Sequence, residues 1–379
     1  MAFSGKAVSL TLTENAEISV LTCSEGAELY SLFGHSGIRV RDAALNIDWV
    51  FNYGTFDFNT PHFYYKFVKG LLMYQLSVVE YNHFVQAYVR ENRSILAQTL
   101  QLDRAQKQKL FVLLLENYEP ENRTYLYNFL FDNCSTRIRD IVEKSVEQPV
   151  QWYLPHDGKS YWNLLDEYLF RMPWAQWGIH TILGQSGSKK AKPHEYMFLP
   201  YYLMNGFDTA TADGRKIADQ TATLYRALPK NAKNRWFLSP QFVFAFVSLL
   251  LVFLMQYIRS KRFLKTVAFV LLLLSGLAGA LFIFLSYFTL HPITAPNFNL
   301  LWGNPLNLAA LPFLFFRNMP KIVKYYLVVY MAIMIIGVPL WFFLIPAVPL
   351  ASLPLFFLMI VLCLKLRAMN YQTARKSTT

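Results

Sequence analysis

Residues 237–265 read Phe-Leu-Ser-Pro-Gln-Phe-Val-Phe-Ala-Phe-Val-Ser-Leu-Leu-Leu-Val-Phe-Leu-Met-Gln-Tyr-Ile-Arg-Ser-Lys-Arg-Phe-Leu-Lys. An uncharged run, Phe237–Ile258, ends directly at the bases Arg259, Lys261, Arg262 and Lys265. A helix of about 20 apolar residues crosses the hydrocarbon core of a bilayer, and bases gathered at its end mark a cytoplasmic flank. The pattern recurs in apolar runs at 266–288, 300–316, 322–345 and 352–364. No Asp or Glu follows Phe237, and all 24 acidic residues precede it. A soluble domain of that size needs acidic groups on its surface, whereas one embedded in lipid does not.

The bases beyond Phe237 fall into three clusters: the one just named, then Arg317, Lys321 and Lys324, then Lys365, Arg367, Arg375 and Lys376. The turns at 289–299 and 346–351 hold neither Lys nor Arg. Five spans put every cluster on one side, with the N-terminal part outside and the C-terminus in the cytoplasm; four spans would misplace one cluster. The expectation is an all-α bundle of about five transmembrane helices. The third run carries Pro305 and Pro312, the fifth carries Pro354, and both are shorter than a straight span needs. Short spans or a re-entrant piece are both compatible with that. The spans carry no buried ionisable residue of the kind that pumps and proton relays use, so the bundle reads as an anchor or lipid-facing platform. The amphiphilic stretch His291–Trp302 is expected at the membrane interface.

The net charge of +12 belongs largely to these membrane flanks, where anionic lipid accounts for it. The N-terminal part is nearly neutral, which excludes a nucleic-acid role. The chain divides at 235/236: residues 1–235 form an extracytoplasmic domain and 236–379 a membrane domain. Met1–Asn15 contains no charged stretch followed by an apolar one, as an export leader would have; with the domain outside, a missing or replaced signal is the expectation.

Residues 1–235 read as α+β. Strands are expected at Glu17–Cys23, Gly37–Asp42, Ile47–Tyr53, Tyr74–Glu80 and Ser94–Leu102. Helices are expected at Pro61–Lys69, Asn82–Glu91, after Asp103 through Asn117, and from Cys134 to Val146. Tyr125–Phe131 reads as extended, Tyr161–Phe170 as a short helix, and Gly184–Lys192 as a flexible basic loop. Met172–Leu183, with two tryptophans, reads equally as a packed segment or one dipping into a membrane interface.

The chemistry concentrates in Asp132-Asn-Cys-Ser-Thr-Arg-Ile-Arg-Asp140. Cys134 opens an expected helix, whose N-terminal amides lower a thiol pKa and favour the thiolate. Such a cysteine is a nucleophile if a base stands by it, and otherwise a small buried residue. Phe33-Gly-His-Ser-Gly-Ile-Arg-Val40 supplies the base, His35, at the start of a strand. The next strand supplies Asn52 to orient the imidazole, with Asp132 and Asn133 as rivals for that role. Arg137 and Arg139 suit a lipid phosphate or ion pairs with Asp140 and Glu143. Cys23 and Cys363 read as packing residues; a Cys23–Cys134 disulfide is open. The remaining histidines lack metal-ligand spacing, so neither metal nor other cofactor is expected.

The order Gly-His on a strand, a polar residue on the next strand and Asn-Cys at a helix start resembles the permuted papain-like fold of NlpC/P60-like proteins. Leu21-Thr-Cys-Ser, Phe33-Gly-His-Ser, Phe51-Asn-Tyr-Gly and Asn133-Cys-Ser-Thr-Arg-Ile-Arg-Asp140, followed by five membrane helices, resemble the Lnb-type lipoprotein N-acyltransferases of Bacteroidota. That resemblance implies a thiol enzyme of the bacterial inner membrane with a periplasmic N-terminal domain. It implies two lipid partners, a phospholipid acyl donor and a diacylated lipoprotein acceptor. Cys134 and His35 would be catalytic, with Asn52 the third residue. The alternative is a membrane-anchored cysteine peptidase or amidase acting on peptidoglycan, for which a single anchor helix suffices.

Overall fold

The structure, a computed structural model, describes residues 10–155, 157–229, 236–316, 319–344 and 348–376. Residues 1–9 of the leader stretch and Arg317 of the second basic cluster lie outside them. Two compact units result: Met1–Lys159 with Ala191–Asn231, and Ser160–Lys190 with Ala232–Thr379. The division is therefore not the single cut at 235/236 that hydropathy suggests.

The first unit is built on the strands β1 (Glu17–Cys23), β2 (His35–Asp42), β3 (Ile47–Thr55), β4 (Met73–Glu80), β5 (Ile95–Thr99) and β6 (Thr124–Leu126). A two-residue hairpin, β7 (Thr211–Ala212) and β8 (Arg215–Lys216), precedes β9 (Ala222–Tyr225). The main sheet runs β6-β4-β3-β2-β1-β5-β9, each pair antiparallel. The helices of this unit are α1 (Phe63–Lys69), α2 (Tyr81–Arg90), α3 (Arg104–Tyr118), α4 (Cys134–Ser145) and, beyond α5 (Tyr161–Leu169) and α6 (Pro173–Gly187) of the second unit, α7 (Pro200–Thr209). Apart from Glu17, β1 is buried along its whole length, because both faces are covered. Ile18 and Val20 join Ile38, Val40 and Phe51 in the core shared with α3 and α4. Leu21 and Cys23 join Val50 and Phe84 of α2 on the other face.

The strands and helices of this unit lie close to their expected places, with three differences. The strand pair extends outward to include His35 and Thr55. Only Thr124–Leu126 of the aromatic stretch pairs with β4. The rest turns, because Asn128 Oδ1 accepts hydrogen bonds from the amides of Leu130 and Phe131, a side-chain alternative to strand pairing. Strand β9 has no counterpart in the sequence reading.

The second unit adds α8 (Pro240–Tyr257), α9 (Lys261–Tyr287), α10 (Leu306–Ala310), α11 (Lys321–Leu344) and α12 (Leu353–Lys376). Among the described residues, four stretches are long and apolar enough to cross a membrane: Pro240–Tyr257, Lys261–Tyr287, Lys321–Leu340 and Leu350–Met369. The third apolar run differs, forming short helical turns at Phe298–Leu301, in α10 and at Leu311–Phe315. Pro305 and Pro312 lack the N–H a continuous helix requires. This broken segment is held inside the unit: Asn307 Nδ2 donates to Ser275 Oγ, Tyr326 Oη donates to Asn307 Oδ1, and Tyr330 Oη donates to Trp302 O. Any side chain at Gly279 would strike Gly303 O at 2.3 Å; a small residue there lets the segment lie against α9. The fifth run, expected to be short, is the start of the 24-residue α12, because Pro354 falls in its first turn, where proline is tolerated. Cys363 packs in the bundle core.

The Trp-rich stretch is a packed helix of this unit. Trp177 Nε1 donates to Ser352 Oγ (2.9 Å), Trp174 Nε1 to Leu238 O (2.7 Å), and Asn297 Nδ2 to Thr181 O (2.8 Å). The helix also takes in Gly184–Gly187, the start of the expected loop, around a kink at Gly184 (φ 55°).

Candidate active site

Cys134 is the first residue of α4, and the sequence makes the helix start there. Asn133 is the N-cap: its Oδ1 accepts from Ser135 N (2.9 Å) and Thr136 N (3.0 Å), while its own amide donates to Thr136 Oγ1 (2.8 Å). Its Nδ2 donates to Phe129 O (2.7 Å) and Phe198 O (2.8 Å). Ile138, Ile141 and Val142 then bury one face of the helix; each such side chain contributes about 1.5–3 kcal/mol. The thiol stands at the positive end of the helix dipole, with 8% of Cys134 exposed.

His35 reaches the same place from the sheet. Gly34 turns into β2 at φ 83°, and a side chain there would meet Cys23 O at 2.7 Å, so only glycine delivers the histidine without strain. The pleat sends Ile38 and Val40 into the core with α3 and α4 and His35 to the opposite face. There Nε2 lies 3.3 Å from Asn52 Oδ1. Asn52 Nδ2 donates to Val50 O (3.3 Å), which orients Oδ1 as the acceptor and makes Nε2–H the donor. His35 also hydrogen-bonds the Cys134 thiol.

The thiol titrates below its ordinary range. Burial, the largest influence, raises its pKa. The charge of His35 and hydrogen bonds from His35, the Ser36 amide and the Ser135 hydroxyl together outweigh it. Partner chemistry, not exposure, favours the thiolate here. Ser36 and Ser135 are themselves buried and joined Oγ to Oγ at 3.1 Å, which ties strand β2 to the helix start.

The structure thus brings Cys134, His35 and Asn52 together. The rivals for the third position are engaged elsewhere: Asn133 caps α4, and Asp132 takes Arg137 in a two-bond ion pair of 2.6 and 2.8 Å. Arg137 also lies over the Tyr125 ring at 3.5 Å. Arg139 pairs with Asp140 at 2.6 Å. Beside His35 and Asn52 opens a cavity of about 310 Å³, lined further by Thr55, Ser77, Val79, Phe84 and Tyr88; neither arginine lines it. Cys23, Cys134 and Cys363 are all free thiols. Ser36, Ser135 and Tyr88, whose ring lies parallel to His35 at 6.2 Å, were not singled out from sequence. The two serines stand directly beside His35 and Cys134, the one signal that points to them.

Two family models match: the Lnb N-terminal periplasmic domain over residues 11–164 and the Lnb transmembrane domain over residues 232–375. No curated protein and no solved structure matches the chain. With its α/β sheet domain, its apolar spanning helices and both family matches in order along one sequence, the chain belongs to the Lnb family of membrane proteins.

Proposed function

We propose that the protein is a lipoprotein N-acyltransferase that works through an acyl-enzyme on Cys134. The observation that carries this reading is the convergence of Cys134, at the start of α4, with His35 and its partner Asn52, which lowers the thiol pKa, in a chain of the Lnb family. The donor is a phospholipid and the acceptor the α-amino group of a diacylglyceryl-cysteine.

In the first half-reaction the Cys134 thiolate attacks the ester carbonyl of the phospholipid. Collapse of the tetrahedral intermediate breaks the ester C–O bond, and the imidazolium of His35 gives its proton to the departing lysophospholipid oxygen. A thioester and a neutral imidazole remain. In the second half the lipoprotein amine attacks the thioester, the new amide bond forms, His35 takes the amine proton and the thiolate leaves. The imidazolium–thiolate pair is restored. Asn52 holds the imidazole in the tautomer and direction both halves need. Arg137 and Arg139, each engaged by an aspartate, are assigned to holding the structure and not to the donor phosphate.

Both substrates are lipids of the inner membrane, and the family's membrane domain fits that setting. We further infer that the broken segment crosses the membrane as a fifth, interrupted span. Its 18 residues, Phe298–Phe315, reach about 27 Å at helical rise, close to the hydrocarbon thickness. Its interruptions are tolerable because it is packed within the unit. Five crossings keep all three basic clusters on the cytoplasmic side and put the C-terminus there. A reporter fused after Thr379 should behave as cytoplasmic; periplasmic behaviour would remove the fifth crossing.

Mass spectrometry of lipoprotein N-termini, in cells with and without the gene, tests the function. Loss of the N-acyl chain in the deletion, restored by the wild-type gene and not by Cys134→Ala, is the expected result. Unchanged acylation in the deletion would reject the acyltransferase and favour a peptidoglycan hydrolase.

A further inference from the structure

The first unit contains none of the candidate membrane spans among its described residues, yet one of its surfaces is strongly apolar. Helix α1 reads Phe-Tyr-Tyr-Lys-Phe-Val-Lys, and Tyr64 is 78% exposed, Tyr65 62% and Phe67 50%. Phe58 beside it is 57% exposed. Isolated exposed apolar residues are ordinary, but a contiguous patch of this kind marks an interaction surface.

The rings are contiguous. Phe63 lies 5.0 Å from Phe58, Phe58 4.9 Å from Phe56, Phe56 5.2 Å from Tyr74, and Tyr74 stacks on Tyr127 at 4.3 Å. Tyr127 borders Gly54, where a Cβ would come within 3.3 Å of its ring and 3.9 Å of Cys134 Cβ. An aromatic path therefore leads from α1 to the flank of the thiol.

Charge selects the occupant. Residues 58–79 contain Lys66 and Lys69 and no Asp or Glu. Asp57, directly before this stretch, accepts hydrogen bonds from Asn59 N and Nδ2 at 2.8 and 3.0 Å, and Glu80, directly after it, lies 3.8 Å from His83. A second copy of the chain would set these lysines against their own kind in a two-fold contact. Tyr and Phe at headgroup depth with Lys toward the phosphates is the composition that a lipid surface takes. We propose that α1 and the rings joining it to Tyr127 form a docking face for an anionic phospholipid surface, which presents lipid to the Cys134 site. The docking stands on the surface itself; the delivery to Cys134 rests on the acyltransferase reading.

The test uses the full chain in vesicles of phosphatidylethanolamine and phosphatidylglycerol. Single cysteines at Tyr64→Cys, Phe67→Cys and, as reference, the exposed Lys216→Cys on β8 are placed in a Cys23→Ala/Cys134→Ala/Cys363→Ala background, which removes all three native thiols, and labelled with bimane. Doxyl-labelled phosphatidylcholine is the quencher. Labels at 64 and 67 should be quenched at least about threefold more than the label at 216, and Lys66→Gln should reduce that excess. Equal quenching at all three positions overturns the proposal. So does energy transfer between labelled copies at position 64 without lipid quenching, which would assign the face to a protein partner. With Cys134 intact, Tyr64→Ser/Tyr65→Ser/Phe67→Ser should leave alkylation of Cys134 in detergent unchanged. In vesicles, acyl transfer should fall about tenfold; unchanged transfer overturns the delivery role. A wild-type protein that transfers no acyl chain at all would reject the enzymatic reading, while the quenching comparison still decides the docking face.

Discussion

Two thiols in the first unit are buried to nearly the same degree and differ in every other respect. Cys23, at the end of β1, is 0% exposed and Cys134, at the start of α4, is 8% exposed. Burial drives the Cys23 pKa up, and the charge of Arg93 and a hydrogen bond with Tyr88 offset only part of it. Burial acts on Cys134 in the same direction, yet its pKa ends below the ordinary value. Cys23 is even the strand partner of His35 in the β1–β2 register. Its side chain points into the cluster of Leu21, Val50 and Phe84, and so gains little from that closeness. Proximity along a sheet is therefore not enough: a lowered thiol pKa here comes with the imidazole, the amide of Ser36 and a helix start converging on the sulfur itself.

The sharpest way to break this contrast is to delete each sulfur. Cys134→Ala should lower acyl transfer by at least about 10⁴-fold, as loss of a nucleophile does. Cys23→Ala should leave the rate within about threefold, measured by N-terminal mass spectrometry of lipoprotein product. Equal losses would end the distinction. Next in size, His35→Ala should cost about 10²–10⁴-fold, the range of a general acid–base.

His35→Ala should also move the thiol. Alkylation by iodoacetamide follows the thiolate, so in the wild type its rate at Cys134 should begin to rise at a pH below that of a free cysteine, about 8.5. Because His35 lowers the pKa, its removal should shift that rise to higher pH, and a stationary profile would show that the imidazole does not control the sulfur. Cys23 should stay unmodified throughout in the folded protein.

Asn52→Ala is expected to act by misdirecting the imidazole and to cost up to about 100-fold, with Asn52→Asp recovering part of it. If Asn52→Ala matched wild type in rate and pH profile, the third position would have to be sought elsewhere. The smallest effect concerns the scaffold. Asn133→Ala removes a cap worth about 1 kcal/mol and should lower the thermal midpoint by a few degrees, while the alkylation profile of Cys134 keeps its shape.

The site was readable because its parts are local. Gly34–His35 at a strand start and Asn133–Cys134 at a helix start are each written in a few adjacent residues, as are the cap and the turn that place them. Asn52 carried less signal: Asp132 and Asn133 are equally polar and nearer in sequence, and only the sheet register and the Asp132–Arg137 pair separate them. The membrane runs were legible from charge, but the shape of the third was not, because a segment broken by Pro305 and Pro312 has the same hydropathy as a straight helix. Strand β9 was missed for a related reason. Ala222–Tyr225 pairs with β5 at the sheet edge and is mostly exposed, so no alternation of buried residues announces it.

The interleaving of the two units has a practical meaning for anyone who would cut this protein. The polypeptide leaves the sheet unit after Lys159, contributes α5 and α6 to the helical unit, and re-enters the sheet unit at Ala191. Three passages of covalent chain join the units, so the hydropathy boundary near residue 235 severs just one of them. A fragment ending there would keep Trp174 and Trp177 and lose Leu238 and Ser352, the groups that accept their indole hydrogens. It would present an orphaned tryptophan helix to water, an invitation to aggregate. A soluble version of the domain calls for excising Ser160–Lys190 as well, with a short linker from Lys159 to Ala191, whose backbones already meet through a 3.0 Å hydrogen bond.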